Sequence, residues 1–265
     1  MTALPVAKGT FGILVIFFLM APLFAILPLG FTDSIFLNYP IPGYSLRWLS
    51  ELFTADAWRR SIVNSLIIGF GTTVLSTVLG TVAALGLRGT SMSLIFGFFR
   101  TVFLLPMVVP AVVLGVGMQL IFAQYGLANT FLGVIVAHSV ISIPFVLVNV
   151  SAALQGIDRR LEDAAASMGA SPSVVLRDVT LPLAMPGIVT GAVFAFATSL
   201  DEVVLTLFVA GPNQRTVARQ MFSTIRENIS PAIAAAAFLF IAGTISLAVV
   251  VLLVRKRAQN TNLGQ

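Results

Sequence analysis

Six apolar runs, each long enough to cross a lipid bilayer, restrict this chain to one class of fold. A spanning helix needs about 20 mainly apolar residues, and the stretches at 10–31, 62–87, 101–123, 130–153, 186–209 and 232–254 meet that length. Of 265 residues, 58% are hydrophobic and only 9% are charged. That leaves too few polar side chains to clothe a soluble globule of this size. Backbone in lipid must satisfy its own hydrogen bonds, which strand-poor runs of this kind do as helices. The expectation is an all-α integral membrane protein with six transmembrane helices, residues 1–265 forming a single transmembrane domain. The first run follows Lys8 as a secretory signal would, but its apolar part exceeds the usual signal core and no small-x-small cleavage site follows, so it is expected to be retained.

With six spans both termini share a side. Placing them in the cytoplasm puts Lys8, Arg88, Arg100, Arg159, Arg160, Arg177, Arg255, Lys256 and Arg257 inside, and Arg47, Arg59, Arg60, Arg215, Arg219 and Arg226 outside. Nine against six is a modest positive-inside bias, reinforced by the Arg255-Lys256-Arg257 stop after the last run. The net charge of +5 is scattered through loops rather than gathered in a stripe, so no nucleic-acid partner is expected. Cysteine is absent, which removes thiol nucleophiles, disulfides and cysteine metal sites. No His-Glu-x-x-His or Gly-x-Ser-x-Gly occurs and His138 stands alone, so no catalytic or metal site is expected.

Within the runs, Thr72, Ser76, Gly80 and Ala84 recur every four residues, a ridge of small side chains that predicts a close helix–helix seam. Pro106, Pro110 and Pro144 predict kinks, with simple bundle geometry and gating as alternative uses. His138 reads as an interhelical hydrogen-bond partner in preference to a proton relay. Outside the runs, Ser45 to Phe53 reads as a short amphipathic helix in which Trp48, like Trp58 further on, sits at the membrane interface; a rim for a docking protein is the alternative. The loop at 210–230 carries Arg215, Arg219, Arg226 and Glu227, read as solvated surface.

Asp201-Glu202 lies inside the fifth run, about 22 Å from Pro186 at 1.5 Å per residue and so past the midplane. A carboxylate there costs about 2.5–3.5 kcal/mol on the lenient insertion scale, so it faces a cavity or a partner. Thr198 and Ser199 add hydroxyls one turn away. These four residues are candidates for a pathway attracting a cationic solute. A helix break whose acids pair with another subunit is the alternative.

The segment 154–185 is charged and helix-forming between two apolar runs. Leu161 to Met168 reads as a short helix stopped at Gly169, where the missing Cβ permits a left-handed turn. Ser171 caps a second helix, Pro172 takes its first position, and Leu181-Pro182 closes it. Two short helices at an angle form a rigid knob fit to be gripped by a soluble partner.

Asp163-Ala164-Ala165, three residues, Gly169, nine residues and Val179-Thr180-Leu181-Pro182 resemble the cytoplasmic signature of permease subunits of binding-protein-dependent ABC importers: Glu-Ala-Ala, x3, Gly, x9, Ile-x-Leu-Pro. Asp163 replaces Glu, with Glu162 beside it, and Val179 replaces Ile; charge and bulk are kept. Tyr44-Ser45-Leu46-Arg47-Trp48, Asn64-Ser65-Leu66 and Ser199-Leu200-Asp201-Glu202-Val203-Val204 extend the likeness over most of the chain, toward the spermidine/putrescine permease branch.

The resemblance implies a type I importer permease of the bacterial inner membrane that forms half of a translocation pathway. It implies a second permease, expected to be a different chain with a homodimer as the alternative, two ATPase subunits and a soluble extracytoplasmic binding protein. ATP would be used by the ATPase subunits, with no cofactor in this chain, and the chain indeed holds no Gly-x4-Gly-Lys-Ser/Thr phosphate loop. The knob would be a coupling helix docking through Ala164, Ala165, Met168 and Gly169, with Glu162 and Asp163 meeting basic groups at the groove edge. A loop packing on the protein's own helices is the alternative. The cargo would be a polyamine, or else an amino-acid-like compound such as γ-aminobutyrate or a metal complex. A secondary carrier or channel subunit, which would transport without an ATPase, also fits the composition, although no internal repeat is visible.

Overall fold

A computed structural model describes residues 3–88 and 94–246. Helices dominate, as lipid requires of a chain without a closed barrel; among the described residues the only β pairing is an isolated bridge between Thr32 and Tyr44. Twelve helices are used below: α1 (Ala3–Ile26), α2 (Arg47–Thr54), α3 (Asp56–Gly86), α4 (Leu94–Leu104), α5 (Ala111–Gln124), α6 (Phe131–Gln155), α7 (Arg159–Ser167), α8 (Pro172–Val175), α9 (Leu181–Asp201), α10 (Val204–Val209), α11 (Val217–Glu227) and α12 (Ala232–Ser246).

Among the described residues four helical stretches are long and apolar enough to span a bilayer: Lys8–Phe31, Asp56–Gly86, Phe131–Gln155 and Pro172–Asp201. The third expected run, 101–123, is not one rod. Leu94–Met107 and Ala111–Gln124 form a pair bent by 101°. Pro106 sits in a 3-10 turn at Leu105–Met107 and Pro110 is the N-cap of α5, so two missing N–H groups within five residues break the ladder outright. Pro144, by contrast, lies inside an unbroken α6. The sixth expected run, 232–254, is helical from Ala232 to Ser246, and its remainder lies outside the described residues.

The fifth expected run also differs. The helix does not start near Pro186 after a stop at Leu181-Pro182; it runs without a break from Pro172 to Asp201. Residues Leu176–Thr180 form a π turn in which the Leu181 N–H reaches back five residues to Leu176 O. Pro182 brings no N–H to the ladder, and placing it in the first turn of α9, just past the widened turn, lets the helix continue. At the other end α9 stops at Asp201, Glu202 is extended (ψ 110°), and α10 begins two residues later. The later part of segment 154–185 and the fifth run are thus one helical rod from Pro172 onward.

By internal packing the chain divides into Met1–Arg59 with Gln220–Gly243, and Arg60–Arg219 with Thr244–Gln265. In the first unit α1 exposes Phe11, Phe17, Phe18 and Phe24, an apolar surface on several sides suited to lipid. Gly30 lets α12 approach: a Cβ at residue 30 would fall 2.8 Å from the Ala235 backbone nitrogen. Ala232, Ala234, Ala235 and Ala236 are buried, and Phe31 meets Phe238 edge-on at 5.0 Å. Trp48 and Trp58 are 5% and 4% exposed, so they are core residues and not interfacial anchors; Trp48 Nε1 donates to Ser34 O at 3.1 Å, which satisfies the indole without water.

In the second unit α6 is the central helix. The small-residue ridge of α3 lies against it: Thr72 and Ser76 are fully buried, and a Cβ at Gly80 would come within 2.6 Å of Val146 Cβ. On α9, Gly187 and Gly191 approach α6 equally closely, a Cβ at Gly191 falling 2.9 Å from Val146 Cα. Val146 is therefore held between two glycine-lined helices, and a core of Ala83, Ala84, Val146, Leu147, Val150, Leu154, Ala184 and Ala195 surrounds it.

Candidate functional site

Two places concentrate polar chemistry in the second unit: the elbow after α6 and the break after α9. At the elbow, Asp158 N-caps α7 by accepting from Arg160 N at 3.0 Å. Helix α7 ends in a Schellman motif: Gly169 N donates to Ala166 O at 2.9 Å, Ala170 N to Ala165 O at 3.1 Å, and Gly169 holds φ +91°. Ser171 takes the N-cap position of α8 with Pro172 following, but its side chain makes no cap bond; its hydroxyl meets Ser173 Oγ at 3.1 Å instead.

Glu162 does not face outward. Its Oε1 accepts from both Arg88 Nη1 and Thr180 Oγ1, while Arg88 Nη2 donates to Leu154 O at 3.3 Å. Arg88 follows α3 and Thr180 closes the π turn, so the carboxylate ties α7 to two other segments, and Arg88 extends the tie to Leu154 near the end of α6. Burial by itself raises that carboxyl, yet the hydrogen bonds from Thr180 and Arg88 and the charges of Arg88 and Arg159 outweigh it, holding Glu162 below the ordinary 4.5. The expectation that Glu162 meets a partner's basic groups is corrected: Arg88 already occupies it, because a carboxylate 20% exposed takes the nearest guanidinium.

The rest of the signature is turned to solvent. Asp163, Ala164 and Gly169 are exposed, Ala165 is half-buried, and Met168 is 82% exposed, with Leu161 and Val174 also open. The elbow therefore presents a small apolar tip on a base clamped by Glu162. Spacing along the chain signals the tip; nothing in it links Glu162 to Arg88, 74 residues earlier.

At the break, Glu202 Oε1 accepts from Leu205 N at 2.8 Å and caps the start of α10, and Thr206 Oγ1 donates to Glu202 O at 2.9 Å. Having given its only proton to that carbonyl, Thr206 Oγ1 accepts from His138 Nε2 at 3.0 Å; His138 Nδ1 then accepts from Ser199 Oγ at 2.9 Å. His138 thus joins α6 to both sides of the break. Ser199 is 2% exposed and turned to His138, so its hydroxyl is not open to a pathway as expected. Thr198 is half-buried, Glu202 is engaged as a cap, and Asp201 is exposed with no hydrogen bond or ion pair to the described residues.

Arg219, read from sequence as solvated, closes the far end of α10: its Nη1 donates to Ala210 O at 2.7 Å and Thr206 O at 3.2 Å. A carboxylate at the N-terminus and a guanidinium at the C-terminus match the helix dipole. The loop between α10 and α11 is fastened to α3 by Asn64 Nδ2, which donates to Asn213 O and Arg215 O, and by Ser65 Oγ, which accepts from Val217 N. Among the described residues no three His, Cys, Asp or Glu side chains converge as a metal site would need.

Comparison with known proteins bears on both places. The family model for the inner membrane component of binding-protein-dependent transport systems matches residues 76–259, a range that includes elbow and break. The chain is 32% identical to the spermidine/putrescine transport system permease protein PotC of Haemophilus influenzae over 79% of its length and 80% of that protein. It is also 32% identical to the putrescine transport system permease protein PotI of Escherichia coli K12, over 91% of this chain and 89% of that one. Among solved structures, a bacterial ABC transporter involved in import of the acidic polysaccharide alginate superposes with a TM-score of 0.71 at 16% identity, covering 96% of this chain and 95% of the other, a likeness of fold. On the family match and the extent of these identities, the chain belongs to the inner membrane components of binding-protein-dependent transport systems.

Proposed function

We propose that this permease subunit forms half of the translocation pathway of an ATP-driven importer for a small cationic solute of the polyamine class. The four long helices, the bent α4–α5 pair and α12 make up six spans, with both termini and the elbow in the cytoplasm and residues 1–265 acting as one membrane domain. Two ATPase subunits grip the elbow, a second permease completes the pathway, and a soluble binding protein delivers cargo from outside.

The observation that carries this reading is the unbroken helix from Pro172 to Asp201. Its 30 residues extend about 43 Å at 1.5 Å per residue. One end is the clamped elbow with Met168 exposed beside it; the other is Asp201, exposed at the break. A push on the elbow moves the whole rod, because the π turn and the Glu162 clamp leave no free hinge at its base. At the far end it shifts the carboxylate relative to α10, which Glu202 and Arg219 hold at both termini. Elbow and pathway are thereby joined in a single element.

A polyamine cargo is supported by the two relatives named for polyamine transport and by the uncommitted Asp201 carboxylate. Thr198, one turn before it and half-buried, supplies a hydroxyl on the same helix; Glu202 and Ser199 position the break. Radiolabelled putrescine and spermidine uptake by the assembled transporter tests this. Asp201→Asn is expected to raise the KM for uptake about tenfold, as loss of a charge complementary to a cationic cargo does, with assembly intact. Unchanged uptake in an intact complex would remove Asp201 from the pathway.

A further inference from the structure

Beside the elbow, but outside both the tip and the α9 rod, lies a cavity of about 560 Å³ enclosed by the ends of α3 and α6 and the starts of α4 and α7. Arg88, Arg100 and Arg159 line it and no carboxylate does. Arg88 is committed to Glu162 and Leu154 O, which leaves Arg100, together with Arg159 whose charge is felt also by Glu162, to face a ligand. The remaining wall is mostly apolar, with Phe96 on α4 and Leu147 and Leu154 on α6, interrupted by Ser151 and Gln155 one helical turn apart. Outside the cavity, α4 exposes Leu94, Ile95 and Phe98, a surface suited to lipid chains.

We propose that this cavity binds the phosphate headgroup of an anionic phospholipid, with the upper acyl chain against Phe96 and Leu147. Charge selects the anion: Arg100 and Arg159 line a space whose wall holds no carboxylate, the arrangement in which basic pockets between membrane helices hold lipid phosphates. The apolar wall selects lipid over free phosphate, since a bare phosphate gains nothing from Phe96, Leu147 and Leu154 and loses hydration against them. Size agrees as well, because a cavity of this volume exceeds what an inorganic anion fills. A lipid seated here touches Arg159 at the start of α7 and so reaches the base of the elbow. The inference rests on α3, α4 and α6 being membrane spans and not on the coupling role of Met168.

The test uses the assembled transporter in detergent, with phosphatidylglycerol, phosphatidylcholine and inorganic phosphate as separate additions. Native mass spectrometry counts retained lipid and thermal unfolding reads stabilisation. Phosphatidylglycerol is expected to bind and to raise the midpoint, and phosphatidylcholine to do neither. Arg100→Gln and Arg159→Gln should each weaken phosphatidylglycerol binding about fivefold, while Arg100→Lys retains it. Gly97→Leu is a steric counterpart: Gly97 lines the cavity, and a Cβ there meets nothing within 4 Å, so bulk is added at the cavity wall without a clash and without altering charge. It too should weaken retention. Unchanged melting of these variants in phosphatidylcholine shows that they fold. Equal retention in the wild type and the glutamine variants overturns the proposal, as does equal binding of the two lipids. Protection by inorganic phosphate that matches phosphatidylglycerol overturns the lipid assignment in favour of a free anion. If lipid binding fails while Met168 variants still uncouple ATP hydrolysis, only the lipid site falls.

Discussion

At the scale of single residues, Glu162 and Gly169 set the shape of the elbow by different physics. Glu162 contributes through charge. Its carboxyl is held below 4.5 when folded, so its contribution is complete above that value and is lost as pH falls through the lower folded value. Thermal unfolding of the complex followed from pH 7 down to about pH 3 is expected to show an acid-dependent loss in the wild type that Glu162→Gln lacks. At neutral pH the same variant should cost about 1–3 kcal/mol, because Arg88 keeps its place but loses the charge opposite it. Gly169 contributes through backbone freedom. At φ +91° any Cβ is strained although nothing lies within 4 Å of it, so Gly169→Ala should cost about 1 kcal/mol by conformation alone. Hydrogen exchange at Gly169 and Ala170, the two amides of the Schellman turn, reports it; unchanged protection there would rule out the strain. The glutamate lay beside a recognisable signature, but nothing marked its partner, since an arginine 74 residues away has no periodic relation to it.

Between elements, the recurring theme is close approach through missing side chains. Helix α6 is gripped on one side by Gly80 of α3 and on the other by Gly187 and Gly191 of α9. Gly80→Val places its Cβ 2.6 Å from Val146 Cβ and 3.2 Å from the backbone oxygen of Ile143, and the second of these cannot rotate away. A loss of about 2–3 kcal/mol is expected from overpacking, read as a lower melting temperature and reduced recovery of the assembled complex. Wild-type yield and melting would mean that α3 and α6 separate without cost. The four-residue period of Thr72, Ser76, Gly80 and Ala84 made this seam legible, because a small side chain once per turn has few other uses in an apolar helix. The bend between α4 and α5 was only half legible: Pro106 and Pro110 announce trouble in the ladder, while the 101° angle follows from how the two pieces pack.

For the whole molecule, the proposed function makes the continuous helix from Pro172 to Asp201 the element through which elbow movement would reach the pathway. Met168→Asp puts charge on the apolar tip without touching the Glu162 clamp, and it is expected to lower cargo-stimulated ATP hydrolysis at least tenfold in the reconstituted transporter. Transport should fall with it and the permease should still fold. Hydrolysis that stays coupled to uptake in this variant would move the ATPase contact elsewhere on the surface.

Sequence alone determined that this chain lives in lipid, where its apolar runs lie, that α3 carries a packing ridge and that a short helix ends at Gly169 with another starting at Pro172; it placed the end of that second helix wrongly at Leu181-Pro182. Each correct expectation follows from local chemistry: run length against bilayer thickness, a side-chain period, a residue without a Cβ, a proline at a first turn. Tertiary structure decided what local chemistry leaves open. It turned Glu162 inward to Arg88 and Ser199 toward His138, made Arg219 the cap of α10, buried Trp48 and Trp58, and carried one helix through Leu181-Pro182 by widening a single turn. For Glu162, Ser199 and Arg219 the physical reason is the same. A buried polar group bonds whichever complementary group packing brings within about 3 Å, and that neighbour is chosen by the packing of helices far apart in the chain.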